Sequence, residues 1–195
     1  MSFYPSKISE KFRAARHAGK AAAANAAGTE ASFVCGAALR FTLRIERETK
    51  EILEARYQTS GCGFLIAAAE KLAEKIDGRK LTELHGFDRS ALQGQIENET
   101  GKFPASRNHC AELCADALRA ALADFRAAQL EEFTGEKALI CTCFGVSEET
   151  IERAAREYSL ETVEEIIEIC SAGGGCGSCQ PLIQDILETA RFGEI

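Results

Sequence analysis

The chain has no excess of basic charge. Its 23 Lys and Arg face 30 Asp and Glu, a formal net charge of −7. That balance argues against a general nucleic-acid binder, which displaces counterions from phosphates with a basic surface, and against docking to anionic lipid. No apolar run approaches the ~18 residues of a membrane span. The N-terminal segment, Met1 to Gly28, is mildly basic and alanine-rich but has no apolar core of the kind a secretory signal needs. Phe12 and Ala15 read instead as one face of an amphipathic helix broken at Gly19. There is no internal repeat, and no low-complexity tract beyond the four alanines from Ala21 to Ala24. The expectation is a cytoplasmic chain of one or two small domains, with no nucleic acid and no membrane among its partners.

What is abundant is cysteine, with nine in 195 residues. A secreted disulfide protein is usually shorter and has an even count. In a reducing compartment the better use of so many thiols is to hold metal.

Two modules follow from the hydrophobic patterning. From Leu39 to Glu46 the sequence alternates, with Leu39, Phe41, Leu43 and Ile45 on one side and Arg40, Thr42, Arg44 and Glu46 on the other, which predicts a half-buried strand. A polar turn at Thr49-Lys50 leads to a second strand, in which Leu53, Ala55 and Tyr57 alternate with Glu54, Arg56 and Gln58. From Cys62 the period becomes helical, through Leu65, Ala68, Ala69, Leu72 and Ile76, and Gly78 ends the helix. A polar stretch containing Pro104 precedes a long helix from about Asn108, whose stripe includes Cys110, Leu113, Cys114, Leu118 and Phe125. Strands first and helices after make this module α+β, a small antiparallel sheet with helices.

Residues 128–138 read as a linker between a first domain, 1–127, and a second, 139–195. The second calls for no strand. Ser147 is placed to cap a helix bearing Ile151, Ala154, Ala155 and Tyr158. Thr162 and Glu165 have capping-box spacing before Val163, Ile166, Ile167 and Cys170. A third helix follows Pro181, with Leu182, Ile183, Ile186 and Leu187 as its apolar side. The result is a small all-α domain with a cysteine-bearing loop.

That domain holds Cys141-x-Cys143 and, further on, Cys176-x-x-Cys179 within "GGGCGSC". Four thiolates in two close pairs suit either a tetrahedral zinc ion or a [2Fe–2S] cluster with two thiolates per iron. Glycines around the second pair favour the cluster, because backbone N–H groups can turn toward its sulfides where no Cβ stands in the way. The following helix also points its positive end at the thiolates. A thiol–disulfide enzyme built on Cys176 and Cys179 would leave Cys141 and Cys143 idle. The run "ICTCFGVSEETIERAAREYSLETVEEIIEICSAGGGCGSCQPLI" resembles the bacterioferritin-associated ferredoxin-like [2Fe–2S] domain. The resemblance implies that Cys141, Cys143, Cys176 and Cys179 ligate one permanent [2Fe–2S] cluster. Cys170 lies on a helical apolar face and reads as core.

In the first module Cys35, Cys62 and Cys110 stand too far apart for a spacing motif. Cys35 precedes Gly36, Cys62 lies between two glycines at a helix start, and Cys110 opens the long helix beside His109. Three thiolates and an imidazole suit zinc or a cluster equally, and buried structural cysteines are as good a reading from the residues alone. The segments "VCGAALRFTLRIE", "ILEARYQTSGCGFLIAAAEKLAEKIDGRKL" and "NHCAELCADALRAALADF" resemble the NifU/IscU iron–sulfur assembly scaffolds over residues 5 to 127. The order of modules is that of NifU proteins, with no counterpart of a C-terminal Nfu-like domain up to Ile195. The resemblance implies an IscU-like scaffold fold, with Cys35, Cys62 and Cys110 holding a transient [2Fe–2S] cluster, its iron, or zinc. His109 matches a family histidine that can also ligate. Cys114, one turn from Cys110, reads as core, and His17 and His85 as surface residues.

The same resemblance implies a binding scaffold and not an enzyme. Its partners would be a cysteine desulfurase, apo iron–sulfur recipient proteins, an electron donor and a second copy in a homodimer. Two departures stand out. The family's Asp two residues after the first cysteine is Ala37 here, which suggests a more firmly held cluster. The Leu-Pro-Pro-Val-Lys stretch of the IscU branch appears as "FPASR", so Hsp70-type assistance is not expected. The rival readings are an electron carrier that keeps its cluster and a structural zinc protein.

Overall fold

A computed structural model describes residues 4–84, 89–132 and 138–192. It groups the chain into two units. The first takes in residues 1–45, 52–79 and 86–125, and the second residues 46–51, 80–85 and 126–195. His85 and most of the second half of the stretch read as a linker lie outside the described residues.

The first unit is built on a three-stranded antiparallel sheet of β1 (Ala26–Ala31), β2 (Ala38–Ile45) and β3 (Ile52–Thr59), in that order. Leu39, Phe41, Leu43 and Ile45 are all buried, as their alternation predicts. Each such side chain removed from water contributes about 1.5–3 kcal/mol. Thr42, on the opposite face, is buried as well, because its hydroxyl accepts from Ala21 N at 2.9 Å. Leu53 departs from its expected place beside Ala55 and Tyr57 and is 40 % exposed. The register jumps there, with Arg44 opposite Glu54 but Ile45 opposite Ile52. Leu53 is therefore the extra residue of a bulge, which turns its side chain outward.

Four helices complete this part of the chain: α1 (Ser6–Arg13), α2 (Gly63–Ile76), α3 (Arg89–Thr100) and α4 (His109–Glu132). α1 ends six residues before the glycine expected to break it, Gly19. α2 stops where predicted, with Gly78 just beyond at φ +73°. α4 continues through Glu132, so the first residues of the expected linker are helical. Gly28 of β1 faces α4 so closely that a Cβ there would stand 2.1 Å from the Ala121 backbone nitrogen.

His17 is not a surface residue. Its ring meets Glu70 at 2.9 Å through Nδ1 and Asp77 at 3.5 Å through Nε2. Glu70 is 1 % exposed and also accepts from the Arg16 and His17 amides and from the Tyr57 hydroxyl. A carboxylate can be buried at this depth only with its lone pairs satisfied in this way.

The second unit contains α5 (Glu148–Tyr158), α6 (Val163–Cys170) and α7 (Gln180–Phe192). Ser147 accepts from Thr150 N, and Thr162 with Glu165 forms the expected capping box. Ile151, Ile166, Ile183 and Leu187 make its core, while Tyr158 and Leu182 are exposed. A short antiparallel pair, β4 (Leu139–Cys141) and β5 (Val146–Ser147), adds two strands that the periodicity did not call for. They are too short to show an alternation. No described helix is long and apolar enough to cross a membrane.

Candidate metal centres

In the first unit, three separated segments deliver one thiol each to a cavity of about 200 Å³. Cys35 rides on the turn between β1 and β2, which Ser32 closes by donating from its amide to the Ala37 carbonyl at 2.8 Å. Gly36, at φ +69°, gives the turn its left-handed step. Cys62 is the residue that caps α2, and Cys110 lies in the first turn of α4. Both helices thus offer their positive ends to the sulfurs.

The three thiols differ in environment. Cys35 is exposed, and a hydrogen bond from Ser32, then one from the Ala37 backbone, hold its pKa below the usual thiol value. Cys110 is buried, which pushes its pKa up to about 12, with Cys62 adding to the rise. Arg107, from the short 3-10 turn Ala105–Arg107 before α4, lines the same cavity and opposes that rise. Sequence reasoning had not singled out this arginine. Its signal was a cation three residues before Cys110. Ala37 also lines the cavity and is itself buried.

His109 is not among the residues lining the cavity. Its Nε2 is buried with no hydrogen-bond partner among the described residues. Cys114 is fully buried, which raises its pKa well above the thiol value, consistent with core packing.

In the second unit Cys143 meets Cys176, and Cys141 acts on Cys179. The Cys143 thiol donates to the Cys176 sulfur at 3.5 Å. Cys141 and Cys179 are near enough for Cys141 to raise the pKa of Cys179. Each pair joins one sulfur of Cys-x-Cys to one of Cys-x-x-Cys. Cys176 is exposed and its pKa is drawn down to about 7, chiefly by the Ser178 hydroxyl 2.9 Å away. Burial raises that of Cys143, and raises that of Cys179 to about 11, with Cys141 adding to the rise. Cys170 stands apart, bonded to the Ile166 carbonyl at 3.3 Å.

Among the described residues, no three Cys, His, Asp or Glu side chains are gathered as one metal ion requires. The paired arrangement matches a centre that takes two thiolates per iron. The loop agrees with that use. Gly173 and Gly177 have φ of +87° and +76°. A Cβ on Gly175 would come within 2.9 Å of Cys143 Cβ, closing the space beside that thiol. The residues present fit a [2Fe–2S] group, which would supply a one-electron redox centre when bound to Cys141, Cys143, Cys176 and Cys179.

Comparison with known proteins assigns both regions of the chain to families. Residues 3–132 match the NifU-like N-terminal domain family, and residues 139–189 the BFD-like [2Fe-2S] binding domain family. The nitrogen fixation protein NifU of Trichormus azollae is 36% identical over 85% of this chain and 55% of its own length. That of Azotobacter chroococcum is 33% identical over 94% and 58%. The chain thus spans somewhat over half the length of these relatives. The iron-sulfur cluster assembly scaffold protein IscU 1 of Archaeoglobus fulgidus is 31% identical over 63% of this chain and 76% of its own. A crystal structure of the N-terminal part of a NifU-like protein from Brucella abortus has the same fold, with a TM-score of 0.50 at 17% identity, over 64% of this chain and 94% of that one. The chain belongs to the NifU family, with a NifU-like N-terminal domain followed by a BFD-like [2Fe-2S] binding domain.

Proposed function

We propose that this protein is an iron–sulfur assembly scaffold that builds or holds a transient [2Fe–2S] cluster on Cys35, Cys62 and Cys110 and carries a permanent [2Fe–2S] centre on Cys141, Cys143, Cys176 and Cys179. Residues 1–127 form the scaffold domain and 139–195 the second cluster domain. The observation that carries this reading is the contrast between the two thiol sets. One has three single thiols on separate segments around an open cavity. The other has four on two close pairs beside a glycine loop. Ligands from three segments separate with small backbone shifts, which suits release. Paired ligands on one loop and one short strand suit retention.

His109 serves as the additional ligand of the first site. A buried imidazole nitrogen without a partner among the described residues, next in sequence to Cys110, is more readily explained by a metal than by packing. Sulfur comes from a cysteine desulfurase and electrons from a one-electron donor. Clusters pass to apo recipient proteins in the cytoplasm, and the protein acts as a homodimer and not as an enzyme.

A second reading, a carrier that keeps both clusters, is favoured by Ala37 alone. The test is anaerobic reconstitution with a desulfurase, iron and cysteine, followed by mixing with an apo-ferredoxin. The scaffold reading expects the cluster of the first site to move and that of the second to stay. Retention of both supports the carrier, and zinc at both sites in anaerobically purified protein overturns both readings.

A further inference from the structure

Lys50 belongs to the segment Glu46–Glu51 of the second unit, a turn where a charged side chain ordinarily reaches into water. It is only 5 % exposed. Its φ is +57°, in the left-handed region, which costs a residue with a Cβ about 1 kcal/mol or more. The backbone is pinned on both sides. Lys50 N donates to the Glu46 carbonyl at 3.0 Å, and its own carbonyl accepts from Leu81 N at 2.9 Å.

The ammonium group is held as firmly. With its amide oriented to satisfy both neighbours, Gln129 accepts from Lys50 Nζ at 2.6 Å and donates to the Phe144 carbonyl at 2.6 Å. Phe144 follows Cys143 in the chain, and the next residue, Gly145, lies so close that a Cβ there would stand 2.9 Å from Gln129 Cβ. One glutamine therefore ties the lysine to the segment that bears Cys141 and Cys143. Burial pulls the Lys50 pKa down to about 8, and the Cys170 and Cys141 thiols oppose the fall, so the group is still cationic at pH 7. The other charges of this turn that act on it, Arg47 and Glu46, are opposite in sign and exposed.

A glycine would take this φ without strain, and an apolar side chain would be buried without loss of hydration. Lysine is the costlier residue on both counts, which points to a use for its charge. We propose that Lys50 is the fixed counter-cation of the second cluster site, held by Gln129 beside the Cys141–Cys143 segment, and that it shifts that centre toward its reduced form. The proposal rests on the reading of Cys141, Cys143, Cys176 and Cys179 as [2Fe–2S] ligands. Reduction takes one electron from an external one-electron donor and leaves one more negative charge on a group that four thiolates already make anionic. A cation with little water around it favours the more negative state. Lys50 is thus a positioning residue acting through charge, not a ligand.

The test is the reduction potential of the full chain, titrated with dithionite and followed by electron paramagnetic resonance. A Cys35→Ser, Cys62→Ser background keeps the first site out of the signal. Lys50→Met is expected to move the one-electron equilibrium toward the oxidised form by on the order of tenfold, about 59 mV, while Lys50→Arg stays close to the parent. Gln129→Glu, whose carboxylate pairs with the ammonium, is expected to shift it the same way, and it decides the matter if Lys50→Met does not load. Iron and sulfide per chain are measured on every sample. Loaded variants with the parent's potential overturn the inference, as does loss of the cluster from both variants, since the lysine then acts on folding alone. A parent chain with no [2Fe–2S] on the four cysteines instead overturns the reading beneath it.

Discussion

The sulfurs of Cys143 and Cys176 lie 3.5 Å apart although the residues are 33 positions apart in sequence. Two thiolates on one tetrahedral metal, each with a metal–sulfur distance of ~2.3 Å, are separated by little more than this. Cys176 is also exposed, with its sulfur against the Ser178 hydroxyl and the Cys143 sulfur. Cys176→Ser is therefore expected to leave the helices intact by circular dichroism. It should abolish the visible absorption of the second centre in as-purified protein. Unchanged iron content and absorption would remove this cysteine from the ligand set.

The first site makes a prediction about sulfur delivery. Cys35 is the exposed thiol of the three, and two residues before it the Phe33 side chain is fully exposed. Cys110 is buried. Desulfurase turnover on the apo-protein is expected to leave persulfide first on Cys35, and Cys35→Ser to cut labelling of the N-terminal domain by about tenfold. Peptide mass spectrometry reads the position. Extra sulfur found only on Cys141 or Cys143 would reverse the assignment of the two sites.

Ala37 contributes an apolar wall to the Cys35 cavity. Ala37→Asp would place a carboxylate beside an anionic group and bring water with it. We expect the fold to persist and the reconstituted first-site cluster to be lost to a chelator about tenfold faster, in a Cys176→Ser background that silences the second centre. Equal release rates would leave the alanine without a role in retention.

Glu70 gives the acid limit of stability. Burial alone would raise its pKa, but hydrogen bonds from His17, Arg16 and Tyr57 outweigh that and hold the carboxyl below the ordinary value. A carboxyl depressed in the folded state adds stability that is fully present above its unfolded pKa, ~4.3, and is lost as pH falls through the folded one. Glu70→Gln is expected to cost about 2 kcal/mol at pH 7, with the two proteins converging as pH falls below 4. Urea denaturation at several pH values measures this, and parallel curves would exclude it.

What could be read from the chain was whatever is encoded locally. Ser147 and Thr162 cap α5 and α6 through residues three positions away, so those starts are visible in the letters themselves. β2 alternates because one face is core. β1 was missed, since AAGTEA has weak strand preference, and its status as a strand comes from pairing with β2 and from α4 lying over Gly28. α3 was missed because, among its described residues, the buried apolar positions are just Leu92 and Ile96, too few to reveal a period. The two close cysteine pairs announce a centre by their spacing. The gathering of Cys35, Cys62 and Cys110 depends on tertiary structure and was legible only through family likeness. Lys50 looked like a solvated turn residue, and nothing near it in sequence hints at Gln129.

Tyr4 stands far from Cys62 in the chain, yet its hydroxyl accepts from Gly63 N at 3.1 Å, at the first turn of the helix that Cys62 caps. Its ring packs edge-on against Phe64 and Phe12. The N-terminal residues are thereby a latch on the frame that holds one of the sulfurs. An affinity tag, a trimmed leader or a proteolytic nick ahead of Pro5 becomes a variable of cluster chemistry, to be matched between preparations before their cluster lifetimes are compared.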